Sequence, residues 1–175
     1  MSSGVLATMS DRNIVITGFM GTGKSTIGQK VADCLERPFV DTDAVIVQQA
    51  GKSIPDIFAQ DGEVVFRHHE RRVCRFYAGQ TGYVLATGGG MLVDPDNRRV
   101  MSASGLVICL LASKDAIRQR LAGDTGRPLF SGDWEALYDR RTEAYMAIPY
   151  RIDTTNKQPD EIVQEVLAIW QNESR

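Results

Sequence analysis

Lys24 and Ser25 close the run GFMGTGKST (residues 18–26), and with Gly18 and Gly23 they meet the spacing G-x-x-x-x-G-K-[ST]. Glycines there let successive backbone N–H groups turn inward around phosphate oxygens, where side chains would obstruct them. The lysine reaches β- and γ-phosphates, and the hydroxyl after it is placed for Mg2+. The expected cradle runs over Gly21, Thr22, Gly23, Lys24, Ser25 and Thr26, and its expected ligand is a nucleoside triphosphate. The loop lies between a predicted strand and a predicted helix, the setting that this motif requires, and the helix adds the positive end of its dipole.

Other stretches could hold the acceptor of a phosphoryl group. In DTD, Asp41 and Asp43 stand two apart at a predicted strand end, where both carboxylates can face the phosphate loop. One suits a metal-bound water and the other a substrate hydroxyl, whose proton it takes or merely orients. The plainer alternative for Asp43 is to cap the helix that follows. In FRHHE, Arg67 and Glu70 are three apart on a predicted helix and share a face. They form either a surface ion pair of little worth or a guanidinium held rigid to grip a substrate carboxylate. The neighbouring His68 and His69 point in different directions and read as solvated or packed. Gly88, Gly89 and Gly90 directly follow a predicted strand, and three glycines there suggest close approach of a ligand to the backbone. Arg118, Arg120 and Arg127 surround a glycine-rich segment that could close as a basic lid, excluding water and adding charge to the transferring group. Arg118 fits a solvated helix end better, and Arg127, within GRPL, fits the lid. In RRTEAY, Arg140 or Arg141 offers a second grip on an anion.

These groups need a frame that gathers them. Short apolar runs at 13–17, 38–42, 83–87, 106–111 and 151–154 predict strands. Amphipathic segments at 24–36, 43–51, 62–79, 113–123, 133–146 and 159–171 predict helices, the last opening on Pro159 and acids. Strand and helix in alternation predict a parallel sheet with helices on both faces, and reactive groups beyond the carboxyl ends of its strands.

The 175 residues suggest one domain over 12–175, with residues 1–11 as a loose tail and a mobile lid at about 122–133. A net charge of -2 supplies no global field for nucleic acid or an anionic membrane. Cys34, Cys74 and Cys109 match neither a zinc pattern nor a disulfide framework, so a reducing cytoplasm is expected. The first residues lack the features of a signal peptide, and no apolar run approaches the ~20 residues of a membrane span.

Taken together, GFMGTGKST, DTD, FRHHE, TGGG, GRPL and RTEAY resemble the shikimate kinase family in order and spacing, from about residue 12 to the end. The resemblance implies a nucleoside-monophosphate-kinase-like, P-loop α/β/α fold with a five-stranded parallel sheet. It implies transfer, with Mg2+, of the ATP γ-phosphoryl group to the 3-hydroxyl of shikimate in aromatic amino-acid biosynthesis, and a monomer is expected. Lys24, Asp43 and Arg127 would then be the catalytic groups. Asp43 would bind the shikimate hydroxyls, Arg67 and Arg141 its carboxylate, and the backbone around Gly89 its ring hydroxyls, with Glu70 bracing Arg67. Ser25 and Asp41 would serve the metal, the latter through water. Arg127 would close on the phosphates, and Arg120 and Gln158 would lie at the adenine edge. This chain departs from the family pattern at Pro149, after Tyr145, and at the Lys157–Gln158 position.

Overall fold

A computed structural model describes residues 11–122 and 133–174. Five strands form its sheet: β1 (Asn13–Gly18), β2 (Phe39–Asp41), β3 (Val84–Ala86), β4 (Gly105–Leu111) and β5 (Tyr150–Asp153). Their order is β2-β3-β1-β4-β5, and each neighbouring pair is parallel. Every residue of β1 is buried, as expected of a central strand covered on both faces.

Side-chain alternation along the strands divides the apolar residues into two cores. Ile14, Ile16, Leu106, Ile108 and Ile152 face α1 (Lys24–Leu35) and α8 (Pro159–Glu173). Val15, Leu85 and Val107 face the opposite layer. That layer draws on α2 (Thr42–Ala50), α3 (Ile54–Gln60), α4 (Glu63–Ala78), α5 (Pro95–Ser104), α6 (Lys114–Ala122) and α7 (Trp134–Met146).

The five predicted strands and six predicted helices are present with ends shifted by a residue or two. Two helices were not anticipated, α3 and α5. Both are short and weakly periodic, yet both carry start signals: Ser53 accepts from the Asp56 N–H at 3.2 Å, and Asp94 accepts from the Asp96 N–H at 2.9 Å. A proline stands in the first turn of each.

The carbonyl of Asp11 accepts the Gly82 N–H at 2.7 Å, so Asp11, expected in the loose tail, is held against the fold. The rest of that tail lies outside the described residues. Of the expected lid, only Ala122, ending α6, and Asp133, capping α7, are described. Pro149 sits exposed just ahead of β5, where its missing N–H breaks no ladder bond, and β5 still pairs with β4.

Candidate active site

The phosphate loop joins β1 to α1 at the carboxyl edge of the sheet. Gly18, Gly21 and Gly23 take φ values of +141°, +74° and +93°, which side chains rarely tolerate. A Cβ on Gly18 would also stand 2.2 Å from the Leu110 carbonyl oxygen. Lys24 Nζ and Thr22 Oγ1 both donate to the Phe19 carbonyl, at 2.8 and 2.7 Å, drawing the loop around. A cleft of about 240 Å3 opens over it, lined by Gly21, Gly23, Lys24, Ser25, Thr26 and Arg120, with Leu121 beside them. Arg120 reaches from α6 to the Gly21 carbonyl at 3.1 Å and the Thr154 hydroxyl at 3.0 Å. Five of the six expected cradle residues and Arg120 therefore meet at one opening, while Thr22 is buried beneath it.

Gln158 does not line this cleft. It is the N-cap of α8, its backbone N–H bonded to Glu161 at 2.7 Å, and Lys157 pairs with Glu165. Arg120 fills the neighbouring edge by reaching Thr154. Arg127 lies outside the described residues.

The two aspartates part company. Strand β2 ends at Asp41 and α2 begins at Thr42, so helical geometry replaces strand alternation between the two acids. Asp41 Oδ2 accepts the Ser25 hydroxyl at 2.7 Å, while its Oδ1 caps α2 by accepting the Asp43 N–H at 3.0 Å. Asp41 bonds to the phosphate loop through Ser25, and it is Asp41, not Asp43, that caps the helix. Asp43 instead lies against the glycine run: a Cβ on Gly88 would stand 2.3 Å from Asp43 Oδ1.

Arg67 is braced on two sides. Its Nη1 donates to Glu70 at 2.7 Å, and its Nη2 and Nε donate to Glu63 at 2.9 and 3.1 Å. The i,i+4 partner Glu63 was missed in the sequence, although its spacing was available. Burial works against the charge of Arg67, but the two carboxylates more than offset it and its pKa is raised. Glu70 is 2% exposed. Burial raises its pKa; Arg67 pulls down, nearby Asp43 pushes up, and the net direction is upward.

Glycines 88–90 adopt no positive φ, so their role is space rather than conformation. A Cβ on Gly90 would lie 2.5 Å from Arg67 Nη1 and 3.2 Å from Arg141 Nη2. On Gly89 it would lie 3.3 Å from Arg141 Nη1 and 3.4 Å from the Gly18 carbonyl of the phosphate loop. The close approach inferred from three glycines is thus made by the protein's own Asp43, Arg67 and Arg141. Arg141 also stands 5.8 Å from the ring centre of Phe19, inside the phosphate loop. Arg140 is exposed, and Arg118 pairs with Asp115 and Glu135 on the surface. His68 is exposed and His69 half-buried, both on α4.

The shikimate kinase family model matches residues 20–171. The chain belongs to the shikimate kinase family. Relatives agree over nearly the full length: the shikimate kinase of Geobacter sulfurreducens is 44% identical over 160 residues, covering 89% of this chain and 88% of the relative. That of Pelotomaculum thermopropionicum is 38% identical, covering 89% and 94%. Among solved structures, the Acinetobacter baumannii shikimate kinase in complex with shikimate aligns with a TM-score of 0.86 and 32% identity, over 95% of this chain and 96% of that one. A Sinorhizobium meliloti gluconokinase aligns at a TM-score of 0.61 and 19% identity over 93% of each chain, a likeness of fold alone. As a shikimate kinase family member the chain is an ATP-dependent kinase of a small molecule. No described helix is long and apolar enough to cross a membrane.

Proposed function

We propose that this protein transfers the γ-phosphoryl group of ATP to the 3-hydroxyl of shikimate, releasing ADP, in the biosynthesis of aromatic amino acids. The observation that carries the reading is the meeting at Gly89 of an acceptor clamp, Arg141, with the phosphate loop at Gly18. Two guanidiniums suit a carboxylate, and Asp43 beside Gly88 suits a hydroxyl. Arg67 and Arg141 hold the acceptor carboxylate, and Asp43 orients the attacking hydroxyl and receives its proton. Lys24 neutralises charge on the phosphates, and its α1 adds the positive end of its dipole. Holding donor and acceptor in line is the larger part of the work, because phosphoryl transfer has a loose transition state.

The Ser25 hydroxyl and Asp41 carboxylate, 2.7 Å apart, offer the hard oxygen donors that Mg2+ prefers. Ser25 directly and Asp41 through water would hold Mg2+, which would supply charge neutralisation at the phosphates. The free thiols of Cys34, Cys74 and Cys109 support a reducing cytoplasm.

A coupled ADP-release assay with ATP and Mg2+ tests the reading. Turnover is expected with shikimate and not with gluconate, nucleoside monophosphates or no acceptor. Turnover with gluconate, or with none of them, overturns it. Lys24→Met should abolish transfer while circular dichroism stays that of the native protein; substantial residual activity counts against the role given to Lys24.

A further inference from the structure

We propose that Thr42 and Tyr145 are positioning residues for the acceptor, two buried hydroxyls that hold the Gly88–Gly90 backbone where Asp43, Arg67 and Arg141 can close around it. The proposal rests on the reading that shikimate binds against this loop.

Thr42, the middle residue of DTD, is 0% exposed, and its Oγ1 accepts the Gly88 N–H at 3.0 Å in a fully buried bond. Tyr145 is 1% exposed, and its hydroxyl donates to the Gly89 carbonyl at 2.8 Å. Burial pushes the Tyr145 phenol up to about 12, so it remains a donor at neutral pH. The Arg141 guanidinium, one turn earlier in α7, acts on the same hydroxyl. The loop also closes on itself, with Met91 N–H bonded to Gly88 and Val93 N–H to Gly90, both at 3.1 Å.

Each anchor shares a helix with a group whose position it sets. Thr42 and Asp43 are adjacent in α2, and Tyr145 and Arg141 are four apart in α7. The glycine loop is therefore the common reference against which α2 and α7 are registered. The side chains approach the loop backbone closely, because the glycine Cβ positions at 88 and 90 lie within 2.5 Å of Asp43 and Arg67 atoms. A loop that drifts by tenths of an ångström leaves the carboxylate and the guanidiniums out of register. The phosphate loop, which has its own bonds through Thr22 and Lys24, keeps its shape.

The test uses the full chain with Tyr145→Phe, Thr42→Val and Thr42→Ser. Losing one hydrogen bond should raise KM for shikimate about three- to tenfold, with KM for ATP within about twofold of wild type. Thr42→Ser, which restores the hydroxyl, should return KM for shikimate to the wild-type value. Hydrogen exchange of the ligand-free protein should show faster exchange at residues 88–91 in Tyr145→Phe and Thr42→Val, with β1 and β4 still protected. Equal rises in both KM values, no rise in either, or Thr42→Ser as impaired as Thr42→Val overturns the proposal. Unchanged exchange in Tyr145→Phe overturns the pinning whatever the acceptor. A wild-type protein that does not turn over shikimate sinks the acceptor reading separately.

Discussion

Arg67 depends on carboxylates that it also protects. Replacing it with alanine removes the proposed grip on the acceptor and leaves Glu70, 2% exposed, without its 2.7 Å partner. Loss of charge-assisted bonds of this kind should raise KM for shikimate about 10- to 100-fold. ADP affinity, measured by calorimetry, should stay at the wild-type value; an equal loss of both would make Arg67 a support of the fold. Glu70 has a second signature, in pH. An acid whose folded-state pKa is raised lends stability that is complete below its unfolded value and lost as pH rises through its folded value. Thermal melts followed upward from the ordinary glutamate range should therefore show a falling component above that range. Glu70→Gln should lack that component, and parallel profiles would refute the assignment. At this scale the Arg67–Glu70 pair was legible, because three-residue spacing on a helix leaves little choice. The divergence of Asp41 and Asp43 was not, since it depends on the single peptide at which strand gives way to helix. Tyr145 stood within RTEAY with no assigned role, for nothing local reveals a partner 56 residues away.

At the scale of elements, Asp41 does two jobs with two oxygens: Oδ1 caps α2 and Oδ2 takes the Ser25 hydroxyl. Asparagine preserves a cap and loses a negative charge; alanine loses both. Asp41→Asn should melt near wild type, whereas Asp41→Ala should lose about 1 kcal/mol, or about 2–4 °C. Both should lose Mg2+-dependent turnover, and a Mg2+ titration that is unchanged in Asp41→Asn would remove Asp41 from the metal site. The glycine loop gives a sharper case. Gly88→Ala places a methyl 2.3 Å from Asp43 Oδ1, so that side chain must move. A displacement near 1 Å should lower kcat about 100-fold, with ADP binding retained; wild-type kcat would show that the loop yields instead. The strands and long helices were legible because burial imposes a period on them. Helices α3 and α5 were not, being held by Ser53 and Asp94 caps and prolines rather than by a continuous apolar face.

The whole molecule separates support from chemistry across the sheet. Acceptor-side helices α2, α4 and α7 pack on one face, and α1 and α8 on the other. Trp170 of α8 is 7% exposed beneath Arg37, whose guanidinium lies 4.7 Å from its ring centre. Trp170→Ala should cost about 3–5 kcal/mol in urea denaturation, with KM for shikimate unchanged in the folded enzyme; a shift in that KM would mean that the two faces communicate. The parallel sheet and its carboxyl-edge site could be expected from strand–helix alternation, but the joint between the two ligand sites could not, since it is made by aromatic contacts between distant segments. Phe19 of the phosphate loop packs edge-on against Tyr138 of α7 at 5.2 Å and lies 5.8 Å from the Arg141 guanidinium. The phosphate loop and the helix that carries Arg141 thus meet on one shared ring, and thermodynamic reciprocity follows for any coupling across it: whatever factor ATP imposes on shikimate affinity, shikimate must return to ATP unchanged.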